Sequence, residues 1–176
     1  MATDKELYAA LEQLGIAVTV THHPVVRTVE ESKRLRGEVA GGHAKNLLLR
    51  NKRGELWLVV ALEDTNVDLK GLAAKLQSGR LSFANGEQLE AALGIGAGAV
   101  SPLAVINDSA GRVRVVLDPR MLEVDPLNFH PLRNDATVTI ATKDFLRFLS
   151  AQHHAPLEVT LEPPSADGSS GRASLP

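Results

Sequence analysis

Lys45-Asn-Leu-Leu-Leu-Arg50, Asn51-Lys-Arg-Gly54 and Glu55-Leu-Trp-Leu-Val-Val-Ala-Leu62 follow one another without interruption. Two apolar runs of strand length flank a turn whose Asn and Gly tolerate left-handed backbone. The segment therefore reads as a β-hairpin. Its second run is apolar on both faces, which places it in the middle of a sheet with packing on either side.

Working downstream, Asp68 stands as the N-cap of a helix reaching about Gln77, and residues 81–83 form a short strand. Asn85 caps a helix over 86–93 that Gly94 ends. Residues 103–107 and 112–117 flank Asp108-Ser-Ala-Gly111 and read as a second hairpin. Residues 137–141 alternate as a strand does, and Thr142 caps a helix with Phe145, Phe148 and Leu149 on one face. Upstream, Leu7, Leu11 and Leu14 recur at helical spacing over 4–14, with Gly15 at the stop. Residues 16–21 read as a strand broken by His22-His23-Pro24. Thr28-Val-Glu-Glu31 is a capping box opening a helix over 28–36 that Gly37 closes. Helices interleave with hairpins, so the expected class is α/β (α+β): a mixed, mostly antiparallel sheet flanked by helices. The domain is expected over 1–160, with a Pro/Ser/Gly-rich, disordered tail over 161–176.

The 176 residues fit one domain with a full core. Cysteine is absent, which removes disulfides, thiolate metal sites and cysteine nucleophiles and suits a reducing cytoplasm. No basic n-region precedes an apolar stretch, and no run approaches the ~20 residues of a membrane helix. The net charge of −2 argues against a protein that coats nucleic acid by bulk electrostatics. The charge is uneven, however: residues 27–80 carry 11 Lys/Arg against 7 Asp/Glu.

Familiar catalytic motifs are missing. Gly94-Ile-Gly-Ala-Gly98 follows a helix and runs into Ser101-Pro102, so it is not a dinucleotide loop. Gly42-His-Ala-Lys45 has the wrong spacing for a phosphate loop. There is no HExxH and no G-x-S-x-G, and the His pairs are adjacent and point apart, so neither metal nor cofactor is expected. What remains is a lone Lys45 at a strand start, a glycine loop ending in proline (Gly98–Pro102), and His130 within Asn128-Phe-His-Pro131. Taken singly, each also fits a bland role as surface charge, turn geometry or core edge.

Together these residues resemble the YbaK/prolyl-tRNA-synthetase-associated aminoacyl-tRNA deacylase superfamily. The resemblance runs from about Leu7 to His154. It is carried by His23-Pro-x-Val-x-Thr28-Val-Glu-Glu31, His43-x-Lys45-Asn46-Leu-x-Leu49, the strand from Leu56 to Asp64, Arg80-Leu-Ser-Phe83, Gly98-x-x-x-Pro102, and Asn128-Phe-His-Pro-Leu132 followed by Asn134. Within that superfamily the chain is most similar to the free-standing ProX-type prolyl-tRNA editing proteins, whose members hydrolyse Ala-tRNA(Pro) in trans. One departure is Ser101-Pro102-Leu103, where relatives carry Thr-Pro-Phe.

The resemblance implies ester hydrolysis without a cofactor or metal, with the substrate's own 2′-hydroxyl assisting in place of a protein base. It implies Lys45, Gly98 and His130 as the catalytic group. Thr28, Asn46, Ala99, Val100, Ser101 and Pro102 would then contact substrate. Arg50, Lys52, Arg53 and Arg80 are the candidate contacts to tRNA phosphates, although solvated turn charges explain the first three equally well. The expected partner is the tRNA(Pro) acceptor end, with prolyl-tRNA synthetase or an elongation factor as transient partners and no membrane. Proline pockets exclude alanine weakly, because missing methylenes are worth only about 1–3 kcal/mol, so a second, size-selective site has a purpose. Three alternatives stand beside this: a Cys- or Ser-tRNA deacylase, a non-catalytic tRNA-binding module, and a Schiff-base enzyme using Lys45.

Overall fold

The computed structural model describes residues 1–25, 30, 31, 34, 37 and 39–162. Most of the capping box and helix expected over 28–36, the site residue Thr28 among them, lies outside the described residues, as does 163–176.

Eight strands form one mixed sheet: β1 (Val18–His22), β2 (Gly42–Arg50), β3 (Leu56–Leu62), β4 (Ser82–Phe83), β5 (Val113–Leu117), β6 (Leu127–Phe129), β7 (Ala136–Ile140) and β8 (Leu157–Glu158). The spatial order is β1-β7-β6-β2-β3-β5-β8, with β4 also on β2. Four neighbouring pairs are antiparallel, namely β1–β7, β6–β7, β2–β3 and β2–β4. β2–β6, β3–β5 and β5–β8 are parallel. The quoted hairpin is present, with Arg50 opposite Leu56 and Lys45 opposite Ala61.

Helices α1 (Asp4–Gln13), α2 (Leu69–Leu76), α3 (Gly86–Leu93) and α4 (Thr142–Ala151) flank the sheet. The double-sided apolarity of β3 is explained by two cores. Leu58 and Val60 point into the larger one with Leu7, Leu11, Leu93, Phe129, Phe145 and Phe148, beneath α1, α3 and α4. Trp57, Val59 and Ala61 point the other way and meet Leu49, Val116 and Leu72 of α2. A strand's side chains alternate, so one strand serves both layers.

Helix ends follow local chemistry. Asn85 makes the reciprocal capping box of α3: Gln88 N donates to Asn85 Oδ1 and Asn85 N to Gln88 Oε1, both at 2.9 Å. Asn85→Ala should therefore lower stability by about 1 kcal/mol in urea titration, with an unchanged m-value. A loss below a few tenths of a kcal/mol would show that packing alone sets this helix start.

Three expectations are corrected. Residues 103–107 are not a strand; Pro102–Asn107 is a 3₁₀ segment. Ser101 Oγ accepts from Leu103 N at 3.2 Å and Pro102 fills the first turn, so a Ser-Pro start outweighs the β-branched content. β5 pairs with β3 instead of forming a second hairpin. Thr142 is the first helical residue and not the cap, which is Ala141. The Thr142 amide donates to Asp125 Oδ1 at 2.8 Å, and its hydroxyl donates to the Val124 carbonyl. Asp68 occupies the N-cap position of α2 without making a side-chain cap bond.

Candidate active site

The site lies where β2 is incompletely paired. β6 covers Gly42 and His43 of its outer edge, and β4 covers Leu49 and Arg50. No described strand pairs with residues 44–48 on that side. The Glu63 amide donates to His43 O across the hairpin, so odd-numbered residues bond to β3. The main-chain N–H and C=O of Asn46 consequently point at the gap.

The Gly98–Pro102 loop stands at this gap. Asn46 Nδ2 donates to Val100 O at 3.1 Å, which fixes the amide, while Asn46 Oδ1 is buried without a partner. Ala99 is 7% exposed, Val100 half-buried, and Ser101 and Pro102 buried. The Ser101 hydroxyl is held by its own turn at Leu103 N, so the loop presents small apolar groups and main chain. Gly98 is exposed, and a Cβ there would come within 3.1 Å of Asn134 Nδ2. This close approach joins the loop to the turn between β6 and β7.

Lys45 leaves β2 on the opposite face from Asn46, the face of Leu47 and Leu49. Its ammonium donates to Thr65 O at 2.5 Å. Thr65 is itself buried, and its hydroxyl accepts from Arg120 Nη2 at 2.8 Å, so the carbonyl that orients Lys45 is anchored. An ammonium has three hydrogens. Two remain for a ligand, and among the described residues no carboxylate lies within 4 Å of Lys45. This half-buried cation keeps its positive field undiluted by an ion pair.

His130 follows β6 directly, and extending the parallel register (His43 beside Asn128) brings it level with Lys45. Its Nδ1 lies 3.1 Å from Ala136 O; a carbonyl only accepts, so Nδ1 carries the hydrogen and Nε2 offers a lone pair. Burial pushes the His130 pKa down, the Ala136 carbonyl opposes this, and nearby His23 adds to the depression. Asn128 is fully engaged: Nδ2 donates to Ala40 O (2.9 Å) and Gly42 O (3.2 Å), and Oδ1 accepts from Thr139 Oγ1 (2.6 Å). It locks β6 against β2 beside the gap.

This arrangement can bind a polar, electron-rich group at a cation. Residues 23–148 match the model of the aminoacyl-tRNA editing domain. The chain belongs to the aminoacyl-tRNA editing domain family. It is therefore a hydrolase of the aminoacyl-tRNA deacylase class, and its partner is aminoacyl-tRNA. It is 39% identical over 158 residues to a prolyl-tRNA synthetase associated domain-containing protein 1 of Xenopus laevis, covering 87% of this chain and 94% of that one. It is 36% identical over 152 residues to the prolyl-tRNA editing protein ProX of Acetoanaerobium sticklandii, covering 86% and 93%. A crystal structure described as that of a candidate trans-editing enzyme for prolyl tRNA synthetase shares the fold, with TM-score 0.70 and 21% identity over 93% of this chain and 99% of that one.

In this editing domain the four basic residues selected from the sequence sit apart from Lys45. Arg50, Lys52 and Arg53 occupy the far end of the β2–β3 hairpin, about 17 Å away along the strand. Arg53 pairs with Glu55 at 2.8 Å, whereas Lys52 and Arg80 are exposed. Arg80 borders a groove of about 480 Å³ with Leu69, Lys70, Ala73 and Leu81. Sequence reasoning gave no role to Thr65, His43 or Asn134. Thr65 acts through its main-chain carbonyl, which carries no side-chain signal; His43 and Asn134 lie inside the quoted motifs but needed a structure to show what they face. Among the described residues no group of three or more His, Asp or Glu is placed to hold a metal, and no helix is long and apolar enough to cross a membrane.

Proposed function

We propose that this editing domain removes alanine from mischarged tRNA(Pro) in trans, through the unit spanning 1–160. The observation that carries the reading is the Lys45 ammonium, fixed on Thr65 O with two hydrogens free, on the strand whose next residue, Asn46, ties down the Gly98–Pro102 loop. Water adds to the ester carbonyl, the carbonyl oxygen gains negative charge, and collapse releases alanine and the ribose hydroxyl. Lys45 lowers the barrier by facing that developing charge from a partly desolvated position. The main chain around Gly98 holds the aminoacyl end, which a side chain at that position would obstruct. His130, neutral with its lone pair on Nε2, accepts from the attacking water. Because its pKa is depressed, it keeps that form to below the ordinary histidine range near 6.5. Arg50, Lys52, Arg53 and Arg80 contact tRNA phosphates, and synthetase or elongation factor delivers the substrate. The relative named ProX, described as a prolyl-tRNA editing protein, supports this substrate class.

Deacylation of Ala-, Cys-, Ser- and Pro-tRNA(Pro) by the whole chain tests it. Ala-tRNA(Pro) should be hydrolysed at least tenfold faster than Pro-tRNA(Pro). Equal rates for Ala and Pro, or a preference for Cys or Ser, would displace alanine as the substrate.

A further inference from the structure

His43 is the second residue of β2, two positions before Lys45, so the two side chains share a face about 7 Å apart along the strand. Its Nε2 is fully buried and has no hydrogen-bond partner. Its neighbour on that face, Asn128, spends its whole amide on Ala40, Gly42 and Thr139. A buried ring nitrogen left unmet is unfavourable and calls for an explanation in a folded protein. The orphan lies beside the cation of the candidate site, level with the start of the β2–β6 gap.

We infer that His43 is a substrate-binding residue whose Nε2 hydrogen-bonds the free ribose hydroxyl next to the aminoacyl ester. The inference rests on the proposed reading that an aminoacyl-adenosine end enters at Lys45. Three hydrogen-bonding groups flank the scissile ester bond itself: the α-ammonium, the carbonyl and the vicinal hydroxyl. The α-ammonium is disfavoured beside Lys45, whose own positive charge repels it. The ester carbonyl is the group that the Lys45 cation itself attracts. The hydroxyl remains, and it both donates and accepts, so it satisfies Nε2 in either tautomer. His43 thus recognises the ribose, which is common to every aminoacyl-tRNA, and leaves amino-acid selection to the Gly98–Pro102 loop.

Two hydrolysis-resistant probes test this: acceptor-stem RNA hairpins ending in 3′-alanylamino-3′-deoxyadenosine, one with and one without the 2′-hydroxyl. His43→Phe keeps an aromatic ring without the nitrogen. It should weaken binding of the hydroxyl probe about tenfold and of the deoxy probe less than twofold. His43→Gln, whose amide also donates and accepts, should stay within about threefold of wild type on both. Equal weakening on the two probes, or none, overturns the assignment. If His43→Phe does not fold, the wild type alone still decides: a loss of less than threefold on deleting the hydroxyl overturns it. Wild type that binds the hydroxyl probe tenfold better yet turns over none of the four charged tRNAs retains the His43 contact while refuting the editing function.

Discussion

Lys45→Ala should reduce kcat for Ala-tRNA(Pro) deacylation by about 10²–10³-fold, the loss typical of removing one preorganised charge or donor from a developing oxyanion. The size follows from placement. The ammonium is half-buried, tied by one hydrogen to Thr65 O at 2.5 Å, and no carboxylate among the described residues lies within 4 Å of it. Lys45→Arg keeps the charge but replaces a compact ammonium by a planar fork that cannot reproduce the single short bond to Thr65, so it should recover only a minor part of the rate. Folding should survive both changes, because Lys45 belongs to neither apolar core. Single-turnover rates with saturating enzyme, alongside thermal melts, separate these outcomes. A Lys45→Ala enzyme within threefold of wild type would remove lysine from the mechanism and leave the Gly98 main chain as the source of electrophilic assistance.

The sequence was most informative where one physical signal dominated. The β2–β3 hairpin was readable because its apolar runs and its Asn-Lys-Arg-Gly turn agree, and the double-sided pattern of β3 corresponds to two cores. Residues 103–107 misled because Val105 and Ile106 suggest a strand, while the preceding Ser101-Pro102 pair starts a 3₁₀ turn. β6 and β8 have three and two residues, too few for any period to register, and their existence depends on partners far away in sequence. The same limit applies to the site. Lys45, Asn46 and the Gly98–Pro102 loop could be picked out by residue type, and the Asn46–Val100 contact does join two of those segments. That Lys45 and Asn46 emerge on opposite faces follows from strand alternation once β2 is known to begin at Gly42. The gap between β6 and β4 was not foreseeable, because it exists only through the register of two very short pairings.

The largest stability effect should come from a buried pair far from the gap. Asp108 is 1% exposed and His154 5% exposed, and His154 Nε2 lies 3.0 Å from Asp108 Oδ2. The other ring nitrogen faces Gln152 O at 2.6 Å, so both ring nitrogens have a partner. Oδ2 also accepts from Val113 N at 2.7 Å, tying the end of the 3₁₀ segment to the start of β5 and to the residues that follow α4. His154→Ala leaves this carboxylate buried with its main side-chain partner gone and should destabilise by about 3–5 kcal/mol, most of a small domain's margin. The pH dependence has a definite sign. Burial alone would raise the Asp108 pKa, but the hydrogen bonds from His154 and from the Val113 and Arg112 amides outweigh it and the net shift is downward. A carboxyl that is more acidic in the folded state stabilises the protein above its unfolded pKa near 3.9 and loses that contribution as pH falls through the lower, folded value. Wild type should therefore lose stability on acidification from about pH 5 downward, more steeply than Asp108→Asn, which has no proton to take up there. Asp108→Asn should be less stable than wild type at pH 7, and the difference should narrow towards pH 3. Urea midpoints measured from pH 3 to 7 on the two proteins would test this, and parallel curves would show that the pair contributes by shape alone.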